Sequence, residues 1–330
     1  MYAQLLAESR GGYFDLVHHG YICIVNEHSK VLWSLGDSED MVFYRSASKP
    51  IQALPVFAMG LDRLYGLTEE QSVILSASHL GMPFHVAAVE SILEKMGLSE
   101  DILCMKPTVP GDMASNEQRI RAGLPPRKVY HNCSGKHCAL LMIQQALGGK
   151  VEDYWKVDTP VHRRVEQTIK TMSETDHVQV GVDGCGVPVF AVGMRNIAAA
   201  YKNLACIDTI HDDSLQAAAA ENVRRIGRYP HMIRGAQLCT AMNEDPNIIA
   251  KGGANGVYGF GLKKQRLGVA FKLVDGTEAS WPFIAMEILR SLGALTEEHR
   301  ARLEKLGTEY LRNDNGDIVG QRQALFEINL

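Results

Sequence analysis

The sequence predicts an α+β fold in which an antiparallel sheet is flanked by helices and joined to a mainly helical region. Strand-like runs form a hairpin near the start of the chain and recur in its last third, whereas the middle has helical apolar spacing. No internal repeat, low-complexity tract or interdomain linker divides the 330 residues. We therefore expect a single unit spanning 1–330, with a sheet region at about 1–45 and 175–330 and a helical region at about 46–175.

The first elements follow from local patterns. Residues 21–25 and 31–35 are β-rich, and the polar run 26–30 between them is a plausible hairpin connection. A helix is predicted next, with Ser46 and Ser48 as candidate caps, and Pro50 is tolerated because it falls in the first turn. Residues 68–170 are mostly helical, including 86–96 and 134–147, and are interrupted by a Pro- and Gly-rich loop at 106–127.

The second half of the chain returns to strands. Residues 177–182 and 187–192 are strand-like, and an alanine-rich helix is predicted at 214–226. Three further strands are predicted at 247–251, 256–260 and 267–273, and a long amphipathic segment, 281–306, closes the fold as helices. This order suits an antiparallel sheet with helices packed on it.

Composition excludes several function classes. The net charge of −4 provides no basic surface for nucleic acid, and no apolar run is long enough to span a membrane. The seven cysteines are odd in number and scattered, which is a poor disulfide framework and fits a reducing cytoplasm. The first twelve residues lack the pattern of a secretory signal. We expect a cytoplasmic protein that binds neither nucleic acid nor membranes.

The segment 45–50, Arg-Ser-Ala-Ser-Lys-Pro, places a serine three residues before a lysine. A helix brings positions three apart to one face, and a buried neutral amine at Lys49 could take the proton of the Ser46 hydroxyl. The alternative is an ordinary helix start with an exposed lysine. Serine and lysine are common, so the pair needs support from other motifs.

Further polar motifs lie at the ends of apolar runs. Ser78 ends one such run, although it could simply cap the next helix. The stretch 131–137, His-Asn-Cys-Ser-Gly-Lys-His, precedes an apolar helix and could present backbone N–H groups to an anion, but it lacks the spacing of a phosphate loop. Lys251 follows a strand in a Lys-Gly-Gly run and resembles the lysine of the strand motif that faces the serine in S-x-x-K acyl-enzymes. An exposed lysine at a strand end is the alternative.

The glycines at 184 and 186 flank a cysteine and imply a tight backbone turn. Asp183 in this turn could meet a substrate ammonium. If the fold brings Cys133 and Cys185 together, their thiolates could hold a soft divalent metal such as zinc with Lys136, His137 or water. The alternative is two buried cysteines without a metal.

Taken together, these motifs resemble the asparaginase II family of rhizobial type, and the resemblance extends from about residue 5 to about 325. The matching segments occur in the family's order, namely 45–50, Ser-His-x-Gly at 78–81, His-Asn-Cys-Ser-Gly-Lys-His at 131–137, Gly-Val-Asp-Gly-Cys-Gly-Val-Pro at 181–188 and Lys-Gly-Gly-Ala at 251–254. The resemblance implies a fold like that of serine β-lactamases and glutaminases. It also implies hydrolysis of the small molecule L-asparagine to L-aspartate and ammonia, by a homodimer.

The resemblance also implies roles for individual residues. It pairs Ser46 with Lys49 and Ser78 with Lys251 as catalytic Ser–Lys pairs, with Ser46 as the expected nucleophile of an acyl-enzyme mechanism. It implies a zinc site formed by Cys133, Lys136 and Cys185, and substrate binding by Arg45, Asp183 and His137. A related enzyme acting on glutamine or another amide, and a zinc-stabilised binding protein with little turnover, remain alternatives.

The chain departs from the family pattern at three places. Met82 stands where many members have glutamate, and Asn255 replaces a common acidic residue. The segment 235–238, Gly-Ala-Gln-Leu, with Gln237, stands where Gly-Thr-Gly-Arg is usual. These departures bear on the choice of substrate more than on the reaction class.

Overall fold

A computed structural model describes residues 1–330 of the chain. Its strands are β1 (Ala3–Arg10), β2 (Tyr13–Val25), β3 (Val31–Leu35), β4 (Met41–Phe43), β5 (Gln179–Val182), β6 (Pro188–Gly193), β7 (Ile248–Gly253), β8 (Val257–Leu262), β9 (Leu267–Leu273), β10 (Tyr310–Arg312) and β11 (Ile318–Ala324). Its α-helices are α1 (Lys49–Gln52), α2 (Leu54–Ala58), α3 (Leu61–Leu64), α4 (Glu69–Val73), α5 (Pro83–Lys95), α6 (Met113–Arg121), α7 (Ser134–Ala146), α8 (Pro160–Ser173), α9 (Met194–Ala205), α10 (Asp213–Arg228), α11 (His231–Arg234), α12 (Leu238–Asn243), α13 (Trp281–Ser291) and α14 (Glu297–Glu304).

The chain forms two compact units. The first, here called the sheet unit, comprises Met1–Ala47, Val192–Thr209 and Gln237–Leu330. The second, the helical unit, comprises Ser48–Ala191 and Ile210–Ala236. The sequence analysis placed the helical region at about 46–175, whereas the helical unit also contains α10 and α11 from later in the chain.

The sheet unit contains an eight-stranded antiparallel sheet with the strand order β10-β11-β1-β2-β9-β8-β7, and β3 pairs with β2 off this path. The second half of β2 is buried throughout and pairs with β9 in a register that runs from Gly20 opposite Leu273 to Val25 opposite Gly268. The antiparallel sheet with helices against it and a mainly helical region confirms the predicted fold class.

Glycines allow helices to approach both faces of this sheet closely. A Cβ atom on Gly261 of β8 would lie 2.2 Å from the backbone oxygen of Tyr201 in α9, so α9 rests directly on the strand. Gly252 of β7 points to the opposite face, because side chains alternate along paired strands. There a Cβ atom would lie 2.7 Å from the ring of Trp281 in α13. The sheet is therefore covered on two faces.

The helical unit is fastened by a buried ion pair. Arg225 of α10 donates to Asp62 at 2.8 Å, and both side chains are at least nine-tenths buried. The Arg225 guanidinium also lies over the Phe57 ring, 5.2 Å from its centroid. These contacts join α10 to α2 and α3, which explains why residues 210–236 fold with the earlier helices.

The longest fully buried stretch of the helical unit is the start of α7. Every residue from Ser134 to Gln144 is buried. Gly135 lies so close to the 3₁₀ turn Ile74–Ser76 that a Cβ atom would be 2.1 Å from the Ile74 oxygen. This close approach holds the first turn of α7 beside the segment that follows Ile74. No helix of the structure is both long and apolar enough to traverse a bilayer.

Candidate active site

The Lys49 amine lies at the centre of a polar cluster inside the helical unit. Its side chain is fully buried, and Nζ donates to the Ala77 oxygen at 2.8 Å and to the Asn132 oxygen at 3.2 Å. Burial lowers the pKa of this amine, and the nearby Lys136 cation lowers it further, whereas the Cys133 thiol opposes the shift. The neutral form needed for a base is thereby favoured.

The Lys49 amine contacts the hydroxyl of Ser78. Lys49 Nζ lies 3.0 Å from Ser78 Oγ, and the serine is buried. The backbone places Ser78 directly after the 3₁₀ turn Ile74–Ser76, and its N–H donates to the Ile233 oxygen at 3.0 Å. A hydroxyl in contact with a buried amine of lowered pKa is an arrangement that can deprotonate serine.

Two cysteines, a lysine and an aspartate continue the cluster. Lys49 Nζ lies 3.3 Å from Cys133 Sγ, and Lys136 Nζ lies 3.1 Å from Cys185 Sγ and 3.9 Å from an Asp183 carboxylate oxygen. A hydrogen bond with Cys185 holds the pKa of the Cys133 thiol well below its usual range, and the two lysines add to this effect. These shifts favour one negative charge shared by the two thiols, beside two amines.

The same interactions also shift the pKa values of Cys185 and Lys136. The hydrogen bond to Cys133 and burial raise the pKa of the Cys185 thiol, so the shared proton stays on Cys185. Burial opposes a charged amine at Lys136, but the charges of Cys185, Cys133 and Asp183 outweigh it and raise the pKa of Lys136. In this form Lys136 is a cation.

Asp183 and Cys185 are presented by a tight turn between β5 and β6. The Gly186 N–H donates to the Asp183 oxygen, and the Asp183 N–H donates to the Val187 oxygen, both at 2.9 Å. Gly186 has a φ of +91°, a conformation that glycine adopts without a steric penalty. The sequence analysis expected such a turn from its two glycines.

His137 and Tyr154 form a buried pair next to these groups. His137 Nδ1 lies 2.7 Å from Tyr154 Oη, while His137 Nε2 is buried with no hydrogen-bond partner. Burial lowers the pKa of His137 well below its usual range, so the ring is neutral, and burial raises the pKa of the Tyr154 phenol. The sequence analysis did not identify Tyr154, because it belongs to no motif.

His79 supports the first turn of α7. The Gly81 N–H donates to His79 Nδ1 at 3.0 Å, so the other nitrogen, Nε2, carries the proton and donates to Ser134 Oγ at 2.7 Å. The Ser134 hydroxyl in turn donates to the Val129 oxygen at 3.1 Å. This chain connects the segment after Ser78 to the residue after Cys133.

The other predicted site residues lie in the sheet unit. The 3₁₀ turn Arg45–Ser48 contains Ser46, which is half-buried. Arg45 has a φ of +49°, a strained conformation for a residue with a side chain. Tyr201 Oη joins this turn to β7, because it donates to the Ala47 oxygen at 2.6 Å and lies 3.2 Å from the Lys251 oxygen. Within the sheet unit, the segment of Ser46 is thus held next to that of Lys251.

The structure contains a contact that the sequence analysis did not expect. The analysis paired Ser46 with Lys49 and Ser78 with Lys251, and the contact at 3.0 Å joins one member of each pair, Lys49 and Ser78. Met82 is also a neighbour of Gly235, the first residue of the departing segment 235–238, since a Cβ atom on Gly235 would lie 3.0 Å from the Met82 sulfur. Their sequence separation gave no indication of this contact.

The cluster provides three chemical functions. The Lys49 amine is placed to act as a base towards Ser78, and the Asp183 carboxylate can receive a cation. The N–H groups of Gly135 and Lys136 in the first turn of α7 lack a backbone partner and can bind an anion, because a helix leaves its first N–H groups unsatisfied. No group of three or more His, Cys, Asp or Glu side chains has the geometry of a metal site. Two of the three zinc ligands implied by the resemblance, Lys136 and Cys185, are in contact.

Comparison with known proteins gives a family match. The sequence model of the L-asparaginase II family matches residues 6–324. No curated protein matches the sequence. Among solved structures, a β-lactamase from Mycobacterium bovis is 14% identical, with a TM-score of 0.44 over 83% of this chain and 94% of that one. A probable glutaminase from Bacillus subtilis, in complex with 6-diazo-5-oxo-L-norleucine, is 12% identical, with a TM-score of 0.39 over 83% of this chain and 84% of that one.

Proposed function

The chain belongs to the L-asparaginase II family of amidohydrolases, and from this premise we propose that it hydrolyses L-asparagine to L-aspartate and ammonia through a Ser–Lys pair. The observation that carries the proposal is the buried Lys49 amine, of lowered pKa, 3.0 Å from the Ser78 hydroxyl. The family implies a small amide as substrate. The Asp183 carboxylate is suited to the α-ammonium of an amino acid.

The proposed reaction is an acyl transfer in two halves. The neutral Lys49 amine takes the proton of a serine hydroxyl, and the serine oxygen attacks the side-chain carboxamide carbon. The C–N bond then breaks, the lysine proton passes to the nitrogen, and ammonia leaves an acyl-enzyme. Water attacks this ester and gives a proton to Lys49, which returns it to the serine oxygen as the ester bond breaks. The N–H groups of Gly135 and Lys136 are the donors we propose for the oxyanion.

Two serines are candidates for acylation. Ser78 is supported by its contact with Lys49, and Ser46 by the family resemblance. Incubation with L-asparagine, rapid quenching and peptide mass spectrometry locate the aspartyl ester on one of them. We expect the ester on Ser78, and an ester on Ser46 instead would transfer the nucleophile's role and leave Ser78 as a proton relay.

The activity test is ammonia release from L-asparagine and from L-glutamine. We expect Lys49→Met to lower kcat by about 10²–10⁴-fold, the usual contribution of a positioned acid or base. The matched control is Lys202→Met, because Lys202 is also a buried lysine but contacts Asn203 and Thr209. Folded wild-type protein that releases ammonia from neither amide would refute the proposal, and preference for glutamine would change the substrate.

We also propose that Cys133, Lys136 and Cys185 bind zinc. Lys136 Nζ lies 3.1 Å from Cys185 Sγ, and the Cys133 and Cys185 thiols interact with each other, so the three donors are neighbours. Two soft sulfurs and one amine suit zinc, provided that Lys136 loses its proton on binding. When bound, zinc would supply positive charge for orienting an anionic substrate group.

Metal analysis tests this part separately. We expect about one zinc per chain in the purified protein and almost none in Cys133→Ser. Cys138→Ser is the matched control, because Cys138 is a buried thiol on the same helix. Equal zinc in the two variants, or none in the wild type, would eliminate the metal site without affecting the Ser–Lys proposal.

A further inference from the structure

His137 carries a donor that no group in the protein satisfies. The side chain is fully buried, and its Nε2 atom has no hydrogen-bond partner. A buried polar atom left unpaired costs about 1–3 kcal/mol. Native proteins rarely tolerate that cost, so an unpaired atom of this kind needs an explanation such as a bound ligand.

Tyr154, which contacts the Nδ1 atom of His137, determines which ring nitrogen of the histidine holds the proton. Tyr154 Oη accepts the Cys104 N–H at 3.0 Å, which leaves the phenolic hydrogen to be donated. His137 Nδ1, at 2.7 Å, is placed to accept it, and the Cys104 thiol is a second polar neighbour of the phenol. The Cys104 sulfur is 3.8 Å from the same nitrogen and is the weaker partner. A neutral ring that accepts at Nδ1 carries its hydrogen on Nε2.

We propose that Tyr154 is a positioning residue, which holds His137 in the Nε2–H tautomer so that the ring donates a hydrogen bond to an oxygen of the bound substrate. This inference rests on the proposed function for the identity of the substrate. An amide of an amino acid offers carboxylate and carbonyl oxygens to such a donor. The Asp183 carboxylate, 3.9 Å from the Lys136 amine, is the proposed partner of the substrate ammonium, which leaves the oxygens for His137.

The packing of Tyr154 shows how the tautomer is maintained. Its ring meets the His137 ring edge-on, with centroids 5.6 Å apart and an interplanar angle of 80°. Its backbone oxygen lies 2.7 Å from His162 Nε2, which secures the residue from a second side. Tyr154→Phe keeps the ring packing and removes only the hydroxyl.

The first measurement requires no variant. In protein labelled with ¹⁵N-histidine, a long-range proton–nitrogen correlation spectrum distinguishes the two tautomers of His137, with His137→Gln used for assignment. We expect the Nε2–H form in the wild type and a loss of this preference in Tyr154→Phe. A wild-type spectrum that shows the proton on Nδ1 would overturn the inference, whatever the enzyme's activity.

The second measurement connects the tautomer to the substrate. Loss of one well-placed hydrogen bond is worth about tenfold in affinity, so we expect KM for L-asparagine to rise about tenfold in Tyr154→Phe. Tyr65→Phe is the control, because Tyr65 donates one hydrogen bond to Gln145 in the same unit. In a His137→Gln background, which keeps a donor but has no tautomer, Tyr154→Phe should have no further effect on KM.

The outcomes separate the inference from the proposed function. An unchanged KM in Tyr154→Phe despite a shifted tautomer would refute the donor role. If the wild type releases no ammonia from any amide, the proposed function fails and the substrate role of His137 fails with it. The spectrum would then still decide whether Tyr154 sets the tautomer.

Discussion

The close approach of Gly135 to Ile74 gives the most informative single substitution in the chain. In Gly135→Ala, the new Cβ would lie 2.1 Å from the Ile74 oxygen and 2.8 Å from its carbonyl carbon. Real Cβ contacts are not shorter than 3.0 Å, so the two backbones must separate by at least about 0.9 Å. Both are backbone atoms, which means that no side-chain rotation can relieve the clash. The first turn of α7 must therefore move away from the turn that precedes Ser78.

The substitution has opposing effects on stability. Overpacking costs about 1–3 kcal/mol, while replacing a helical glycine with alanine gains about 1 kcal/mol. We therefore expect a net loss of about 0–2 kcal/mol in the free energy of unfolding. The same shift displaces Cys133 and Lys136 relative to Lys49, and a misplacement near 1 Å in an active site can cost about 10²-fold in rate.

The assay compares kcat/KM for ammonia release with urea unfolding in the same variant. Gly227→Ala is the matched control, since Gly227 is an exposed glycine of α10 with nothing within 4 Å of the added Cβ. We expect this control to gain up to about 1 kcal/mol in stability at unchanged activity. If the Gly135→Ala variant is folded and its activity is within about threefold of the wild type, the close approach of Gly135 to Ile74 does not set the geometry of the site.

Three further predictions concern the stability of the helical unit. Asp62→Ala leaves the Arg225 charge buried without its partner. Urea titrations should therefore show a free energy of unfolding lower by about 3–5 kcal/mol. A loss below about 1 kcal/mol would contradict the role of the ion pair. The hydrogen bond from Arg224, together with Arg225, lowers the pKa of Glu221 to about 2. The ionised Glu221 side chain therefore stabilises the fold fully above its unfolded-state pKa near 4.5, and this stabilisation is lost as the pH falls towards 2. Urea midpoints measured between pH 5 and 2 should therefore fall less steeply in Glu221→Gln, and parallel curves would refute the assignment. Gly186→Ala forces a side chain into a φ of +91° and should cost about 1–3 kcal/mol, with unchanged stability counting against a strained turn.

The sequence predicted strands where β-branched and apolar residues cluster, whether or not the strand is buried: β3 and β5 contain no buried residue, whereas β7 and β8 are buried throughout. The second half of β2 was identified because residues 21–25 are β-rich, whereas its first residues, 13–16, are exposed and carry mixed side chains. Strand β11 was missed because polar residues and a glycine make up most of it, after only two apolar residues, Ile318 and Val319. Such strands are held by backbone pairing with neighbours, and this pairing leaves no clear hydrophobic pattern.

The candidate site was predictable as a set of residues but not as a set of contacts. The motifs identified Lys49, Ser78, Cys133, Lys136 and Cys185, all of which lie in one buried cluster. The contact of Lys49 with Ser78 joins residues 29 positions apart and depends on how two helical segments pack. Local spacing favours the serine three residues before the lysine and cannot detect such a contact.

Tyr154 illustrates a different limit. It lies at the end of the 3₁₀ turn Val151–Asp153, in a polar segment without a recognisable motif. Its importance derives from two hydrogen bonds, one to His137 and one from the Cys104 N–H, and both partners are distant in sequence. Residues that act by orienting another side chain are identified only from three-dimensional contacts.

The pairing of β2 with β9 has a consequence for biosynthesis. Gly20 pairs with Leu273, so this half of β2 gains one of its two neighbours only after about 250 more residues have been made. At a translation rate of about 5–20 residues per second, that delay is roughly 12–50 s. Six apolar or small residues that end up buried, 20–25, have an open edge for that time. A nascent chain of this kind presents a binding site for chaperones and a risk of aggregation on the ribosome, and slowing its synthesis would lengthen the exposure.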